Sequence, residues 1–420
     1  MEYIKKEFAA YNIHIIKTDI FKTITIDVNF LRKIKKEEIT IRNFLSEILL
    51  QSNKDYQTKR SLAIKANNLY NPTIMSSNGR IGLFSNLSFS MQFLNEKYTE
   101  EGMNDETIKF FLNILFNPNV IDEKFDLKSF NIVKEFIKNE IKSVKDNTTK
   151  YGLIKLLENM GKDKPYSYRG YGYLEDLENI TPDNLYEYYK DIIRSDKVEI
   201  LIVGDVDEEQ ITELIKENFK VNTVKKDMGS PIIEHDKIRG RINKINEWEN
   251  IIQAKFNIGC KLKNLSDYER KYVLPFYNEI LGGSTTSKLF TNVRENNSLA
   301  YYITSAIKQY DNILMIYSGI NKKDSEKVLS LVKKDMQNIK KGSISNEEIE
   351  TAKKNIMTSL DTITDSPTRI ISSYFSKELS NGDDLETRKE KFSKVTKEEI
   401  VEVAKKIKID TVYLMYGEDN

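Results

Sequence analysis

The sequence predicts an α+β protein made of two homologous domains, each an antiparallel β-sheet with helices packed on one face. Three observations predict it. Segments whose apolar residues alternate with period two are interleaved with segments whose apolar residues recur every three or four positions. The stretch 221–250 loses both periods and carries Gly229, Pro231 and many charges, the composition of an inter-domain linker. Segments on its two sides match in the same order.

The elements follow in chain order. NIHIIKTDIFKTITIDVNFL (12–31) alternates over two β-like segments separated by Asp19, which predicts a hairpin or adjacent strands. Ile41, Phe44, Leu45, Ile48 and Leu49 stand at helix spacing, and a second helical run covers 59–69. LFSNLSFSMQF (83–93) puts Leu83, Leu87, Phe89, Met91 and Phe93 on one strand face, interrupted by Ser85, with Asn86, Ser88, Ser90 and Gln92 on the other. Helices are predicted over 105–116, 126–145, 149–161 and 181–194, the last with Thr181 as N-cap and Pro182 in its first turn. The strand VEILIV (198–203) ends at Gly204.

Beyond the linker the order repeats: a strand at 251–258, helices in DYERKYVLPFYNEIL and SKLFTNVREN, strands near LAYYITSAI and ILMIYSGI, then several helices. RNFLSEILL (42–50) lies beside LPFYNEILG (274–282), pairing Phe44 with Phe276, Glu47 with Glu279 and Ile48 with Ile280. TPDNLYEYYKDIIRSDKVEILIVGD, from Thr181, lies beside TKEEIVEVAKKIKIDTVYLMYGED, from Thr396, with a two-residue deletion before the last strand. The expected domains are therefore 1–220 and 251–420 around a linker at 221–250, with the crevice between them as the default ligand position.

Composition narrows the function. At 420 residues with 39% hydrophobic content, 23 Tyr and 19 Phe, the chain can fill two cores. Its 65 basic and 64 acidic residues leave a net charge of +1, so neither nucleic acid nor an anionic membrane is favoured as a partner. The runs VKKD (224–227) and NKKD (321–324) read as solvated faces. A single cysteine, an N-terminal stretch without a signal-like apolar run and the lack of any window of 18 apolar residues predict a cytoplasmic, non-membrane protein.

The chemistry is narrowed further by two histidines in the whole chain. His14 reads as strand surface and His235 as solvated linker, neither with a ligand at metal spacing. Cys260 reads as a buried small residue at a strand end, and no serine stands in a G-x-S-x-G pattern. GGSTTSK is not a phosphate loop, because Ser287 replaces the required glycine and Leu289 the hydroxyl residue. Gly282 and Gly283 read instead as a helix end, with an N-cap for the next helix among residues 284–286.

The duplicated halves, the region from Arg42 to Phe93, the helix FNIVKEFIKNEIKSVKDN and the segment LGGSTTSKLFTNVRENNSLAYY together resemble the insulinase/pitrilysin family of metallopeptidases, in particular its short processing-peptidase-like branch. Active members carry H-x-x-E-H on a helix, two imidazoles binding Zn²⁺ and the glutamate between them acting as base. Here that helix reads NFLSE: Asn43 and Glu47 stand at the histidine positions, Ser46 at the base, and Glu140 at the distal carboxylate. The resemblance therefore implies a homologue without metal, cofactor or catalytic residues. It also implies that Arg294 and Tyr301, in VRENNSLAYY, hold a peptide substrate by hydrogen bonds to its carbonyls, flanked by Gly282 and Gly283. The expected partner is an H-x-x-E-H homologue in a heterodimer, or a second copy in a homodimer. A structural or assembly role is the alternative, and LYNP (69–72) gives a further likeness to metal-free relatives associated with modification of elongation factor P.

Overall fold

A computed structural model describes residues 1–221, 227–235 and 237–418, so residues 224–226 of the VKKD run lie outside the described residues. The chain opens with β1 (Glu2–Glu7), β2 (Tyr11–Lys17) and β3 (Thr23–Lys33), then α1 (Ile39–Ile48), α2 (Lys59–Asn68), β4 (Thr73–Ile81) and β5 (Phe84–Leu94). Next come α3 (Met103–Phe116), a small ribbon of β6 (Val120–Ile121) and β7 (Lys124–Phe125), α4 (Leu127–Ser143) and α5 (Thr148–Met160). Helices α6 (Leu174–Glu178) and α7 (Pro182–Ser195) lead into β8 (Lys197–Gly204) and α8 (Glu208–Asn218).

The later part holds β9 (Asn243–Trp248), β10 (Ala254–Leu262) and a helical run at 269–283 whose middle is α9 (Leu274–Asn278). A helical turn ending at Glu295 precedes β11 (Ala300–Lys308) and β12 (Ile313–Ile320). Helices α10 (Ser325–Lys340), α11 (Asn346–Asp361), α12 (Pro367–Ser380), α13 (Leu385–Ser393) and α14 (Lys397–Lys405) then lead to β13 (Ile407–Tyr416).

Two sheets result, β1-β2-β8-β3-β5-β4 and β9-β13-β10-β12-β11, the second repeating the order of the first without a counterpart of β1. In each, the strand after the last helix pair lies parallel to one neighbour and antiparallel to the other: β8 between β2 and β3, β13 between β9 and β10. The matched ends of the two halves also share a local device. Thr181 and Thr396 each close a capping box, with Asn184 and Glu399 at the third helical position, so each half fixes the start of the helix that leads into its central strand.

The hairpin expected of residues 12–31 does not form. β8 separates β2 from β3, because VEILIV is buried along its whole length and belongs at the centre of a sheet covered on both faces. The residues expected to be a linker contain β9, an edge strand whose alternation, NKINEW, is too polar to be read as a strand. The polar strand β4 is the opposite case in the first sheet, an edge strand with exposed Thr73, Met75, Ser77 and Gly79.

The chain forms two compact units, each built from three segments. The first holds Met1–Lys142, Arg169–Pro231 and Thr364–Ser380; the second holds Ser143–Tyr168, Ile232–Ile363 and Asn381–Asn420. These differ from the expected domains, 1–220 and 251–420, because α12 is part of the first unit and α5 part of the second. The reason lies on the second face of each sheet. The core helices cover the face bearing Ile13, Ile15, Val28 and Phe30, and α12 packs on the opposite face across β3 and β8. In the second unit the core takes Phe256, Ile258 and Cys260 of β10, and α5 covers the residues between them. Close approach there needs glycine: a Cβ on Gly259 would stand 2.1 Å from Met160 Sδ. Each sheet thus carries its core helices on one face, as the α+β reading expects, and one further helix, α12 or α5, on the other.

Candidate functional site

Helix α1 is fixed in place by a buried charge. Ile39, Phe44, Leu45 and Ile48 bury one face, and Arg42, with no exposed surface, points into the sheet. Its guanidinium donates to Asp196 Oδ2 at 3.0 Å and to Phe30 O at 2.8 Å, while Arg32 Nε donates to Asp196 Oδ1 at 2.5 Å. Asp196, just before β8, therefore holds two arginines and seats α1 against the sheet.

With that face buried, α1 turns Asn43 and Glu47 to the other side, one helical turn apart. Asn43 is held at both ends of its amide: Nδ2 donates to Gly170 O at 2.7 Å, and Oδ1 accepts from Asn78 Nδ2 of β4 at 2.8 Å. A side chain committed in this way is a structural cross-link, not a ligand. Ser46 is buried and donates its hydroxyl to Asn43 O at 2.7 Å, a bond back into its own helix. It has no basic group with which to activate water.

Glu47 and Glu140 do come together. Phe44 of α1 and Phe130 of α4 stack with ring centroids 4.7 Å apart, which brings the two helices side by side. Burial pushes the Glu47 carboxyl up, and the negative charge of Glu140 pushes it further, with Lys59 opposing both. Among the described residues no group of three or more His, Cys, Asp or Glu is arranged to hold a metal ion. The pair thus carries the repulsion of a two-carboxylate site without a third such side chain to complete a metal site. Glu47→Gln is expected to leave the fold intact and raise stability at neutral pH by about 0.5 kcal/mol, measured by urea unfolding, because it removes repulsion between partly solvated charges.

In the second unit the helical run 269–283 ends at Gly282 and Gly283. Gly282 is buried against β11: a Cβ there would stand 2.8 Å from Ser305 Oγ, and Gly282 O accepts from Thr304 Oγ1 at 2.9 Å. A Cβ on Gly283 would meet Asn278 Nδ2 at 2.7 Å. Gly282 lets helix and strand touch, and Gly283 leaves room for Asn278 and Glu279 of its own helical run. The next helical segment starts from Ser287, whose carbonyl accepts from Thr291 N at 3.0 Å, one residue beyond the N-cap region expected at 284–286. Lys288, the lysine of GGSTTSK, is paired with Glu348 at 2.6 Å and is not offered to a phosphate.

Arg294 sits at the end of that segment, exposed, with its guanidinium 4.8 Å from the Phe290 ring centroid. Ser298, at φ 51, then turns the chain into β11. Ala300 and Tyr302 lie opposite consecutive residues of β12, Ile320 and Gly319, so Tyr301 is the extra residue of a β-bulge. The bulge turns Tyr301 out of the sheet, and it is 76% exposed. Because β11 is an edge strand and the bulge takes this position out of the alternation, Tyr301 does not pack into the sheet.

The histidines also differ from expectation. His14 has no exposed surface and His235 has 8%. His235 is beside the Tyr166 ring, within 3.2 Å of Asn312 O, and burial followed by the Lys261 charge lowers its pKa. Cys260 is buried as expected, and burial pushes its thiol up to about 12. LYNP is a turn between α2 and β4, with Tyr70 at φ 60 and Asn71 at φ 57.

A family model described as "Peptidase M16 inactive domain" matches residues 179–356. The chain is 27% identical over 417 residues to a "Probable inactive metalloprotease YmfF" of Bacillus subtilis, covering 99% of this chain and 97% of that one. It is 26% identical over 261 residues to an "Uncharacterized zinc protease YmxG" of the same organism, covering 61% of each chain. The crystal structure of a conserved protein from Enterococcus faecalis V583 matches with a TM-score of 0.90 and 26% identity, covering 100% of this chain and 99% of that one.

Proposed function

We propose, from the premise that this chain is a non-catalytic homologue of the insulinase-family (M16) zinc peptidases lacking their H-x-x-E-H motif, that it binds peptide for a zinc-bearing homologue that does the cutting. The observation that carries this reading is the contrast between the two candidate sites. At α1 every position of the motif has been turned to another use: Asn43 cross-links, Ser46 bonds its own helix, and Glu47 is left beside Glu140. At β11 the opposite holds, for Arg294 and Tyr301 are exposed and a bulge aims the tyrosine outward.

A guanidinium and a phenol on an open edge can donate to the carbonyls of an extended peptide and stabilise negative charge growing on one of them. Gly282 supports this role indirectly, by letting the helix end close on β11, and Gly283 by leaving room for Asn278 and Glu279 at that helix end. The likeness to a zinc protease along with an inactive one supports pairing with a zinc-bearing subunit in a heterodimer, ahead of a homodimer. Among the described residues no helix is long and apolar enough to cross a membrane, and the single buried cysteine fits work in the cytoplasm. The experiment is co-purification with an H-x-x-E-H homologue, followed by hydrolysis of an unfolded peptide. Activity in the pair and none in this chain alone is the expected result.

A further inference from the structure

Between α12 and the sheet face away from the core helices, four side chains of the first unit make a linear chain of contacts, its inner pair buried and its outer pair partly so. Glu199 Oε2 is 2.8 Å from His14 Nε2, His14 Nδ1 is 2.8 Å from Tyr3 Oη, and Tyr3 Oη is 2.8 Å from Glu378 Oε1. Glu199 is 1% exposed and His14 not at all. The strands β1, β2 and β8 supply Tyr3, His14 and Glu199, and α12 supplies Glu378.

Each of the three contacts needs one hydrogen between its heavy atoms. A phenol brings one and a neutral imidazole one, which leaves the third contact as two facing lone pairs. Both carboxylates have cations of their own: Lys197 lies 2.9 Å from Glu199 Oε1 and Lys5 lies 2.8 Å from Glu378 Oε2. Neither carboxylate is therefore the natural place for an added proton, and Glu199 in addition accepts from Asn12 at 3.2 Å. His14 can take the proton, with Nε2–H donating to Glu199, Nδ1–H donating to Tyr3 Oη, and the Tyr3 hydroxyl donating to Glu378.

We propose that this network is a proton-holding latch: the folded chain keeps His14 as an imidazolium between Glu199 and Tyr3, and that proton fastens α12 to the first sheet through Glu378. The other groups facing the latch are consistent with one bound proton. Lys377 and Tyr374 of α12 lie against Tyr3, with Lys377 Nζ 5.2 Å from the Tyr3 ring centroid and the two tyrosine rings 4.8 Å apart. Glu7 shares Lys5 at 3.1 Å. Asp27 of β3, two strands across and in register with His14 through Leu201, is a partly buried acid on this face. Burial pushes its carboxyl up to about 6. Glu199 stays ionised, its pKa held down at about 2 against the effect of burial by the His14 bond and Lys197.

Glu378→Gln separates the proton from the docking. A glutamine amide donates to Tyr3 Oη, the Tyr3 hydroxyl then donates to His14 Nδ1, and three contacts are satisfied with a neutral His14.

Nitrogen-15 NMR of histidine-labelled full-length protein tests this directly, since the chain has two histidines to assign. In the native protein both ring nitrogens of His14 are expected to carry hydrogens at neutral pH, and in Glu378→Gln only Nε2. Hydrogen exchange of the 367–380 amides, corrected for intrinsic base catalysis, is expected to lose about tenfold protection when the native His14 deprotonates, the value of one charge-assisted bond, and to lose none in Glu378→Gln. A native His14 with one ring proton, unchanged by Glu378→Gln, overturns the proposal. So does α12 protection that ignores the state of His14. Tyr3→Phe, which removes two contacts while leaving the fold's core untouched, is expected to weaken α12 protection at every pH.

Discussion

Arg294→Ala is expected to lower peptide hydrolysis by the complex of this chain with a zinc-bearing homologue by about 100-fold, the usual effect of removing a donor aimed at charge developing on a carbonyl oxygen. Tyr301→Phe is expected to lower it about tenfold, because the phenyl ring still fills the space and one neutral donor is lost. Neither change should alter folding, since Arg294 is exposed and Tyr301 is 76% exposed on an edge strand. Steady-state hydrolysis of a quenched fluorescent peptide reads both effects. Thermal melting of the variants, expected within about 0.5 kcal/mol of the parent, separates a contact role from a folding defect. If the loss appears in kcat with KM unchanged, the two side chains act on the transition state; if it appears in KM alone, they only hold the peptide.

Asp196→Ala should destabilise the fold by about 3–5 kcal/mol. The carboxylate is buried between Arg42, which has no exposed surface, and Arg32, at 2.5 Å from Nε. Removing it leaves Arg42 as a buried charge whose remaining bond is to Phe30 O. Arg42 adjoins Asn43, so the loss should also free α1 and its bonds to Gly170 and Asn78. Urea unfolding monitored by tyrosine fluorescence measures the first effect, and hydrogen exchange of the α1 amides the second. Asp196→Asn, which keeps acceptor and shape but not charge, should fall between the parent and alanine.

The elements that sequence could show are those whose burial is decided locally. α1 and α7 carry apolar stripes, β5 carries one broken only at Ser85, and the capping boxes at Thr181 and Thr396 announce where two helices begin. Elements decided by distant chain were hidden. His14 reads as strand surface because alternation marks it as polar, and what buries it is α12, more than 350 residues away in sequence. The hairpin reading of 12–31 failed for the same reason: no local signal announces that β8 will enter between β2 and β3. β4 and β9 are edge strands, half solvated, so their sequences TIMSSNGRI and NKINEW need no apolar alternation.

The candidate site divides along the same line. That no H-x-x-E-H stands in the chain follows from two histidines. Glu47 and Glu140 stand close enough for the charge of one to push up the carboxyl of the other, which no local pattern in either helix announces. The tie of Asn43 to Gly170 and Asn78 was not legible, because a side-chain amide bonds to whatever backbone the fold brings to it. Nor was the exposure of Tyr301, which depends on one extra residue in the pairing of β11 with β12.

The central claim is that this chain binds peptide and does not cut it. The direct measurement is one titration of a labelled unfolded peptide into the purified chain, followed by fluorescence anisotropy and by mass spectrometry of the same samples, for the parent and the Arg294→Ala/Tyr301→Phe double variant. Saturable binding by the parent, weakened at least tenfold in the double variant and with the peptide recovered intact, is the predicted result. No binding by the parent, or equal binding by both proteins, would contradict it and leave the fold a scaffold; cleaved peptide would contradict it in the other direction.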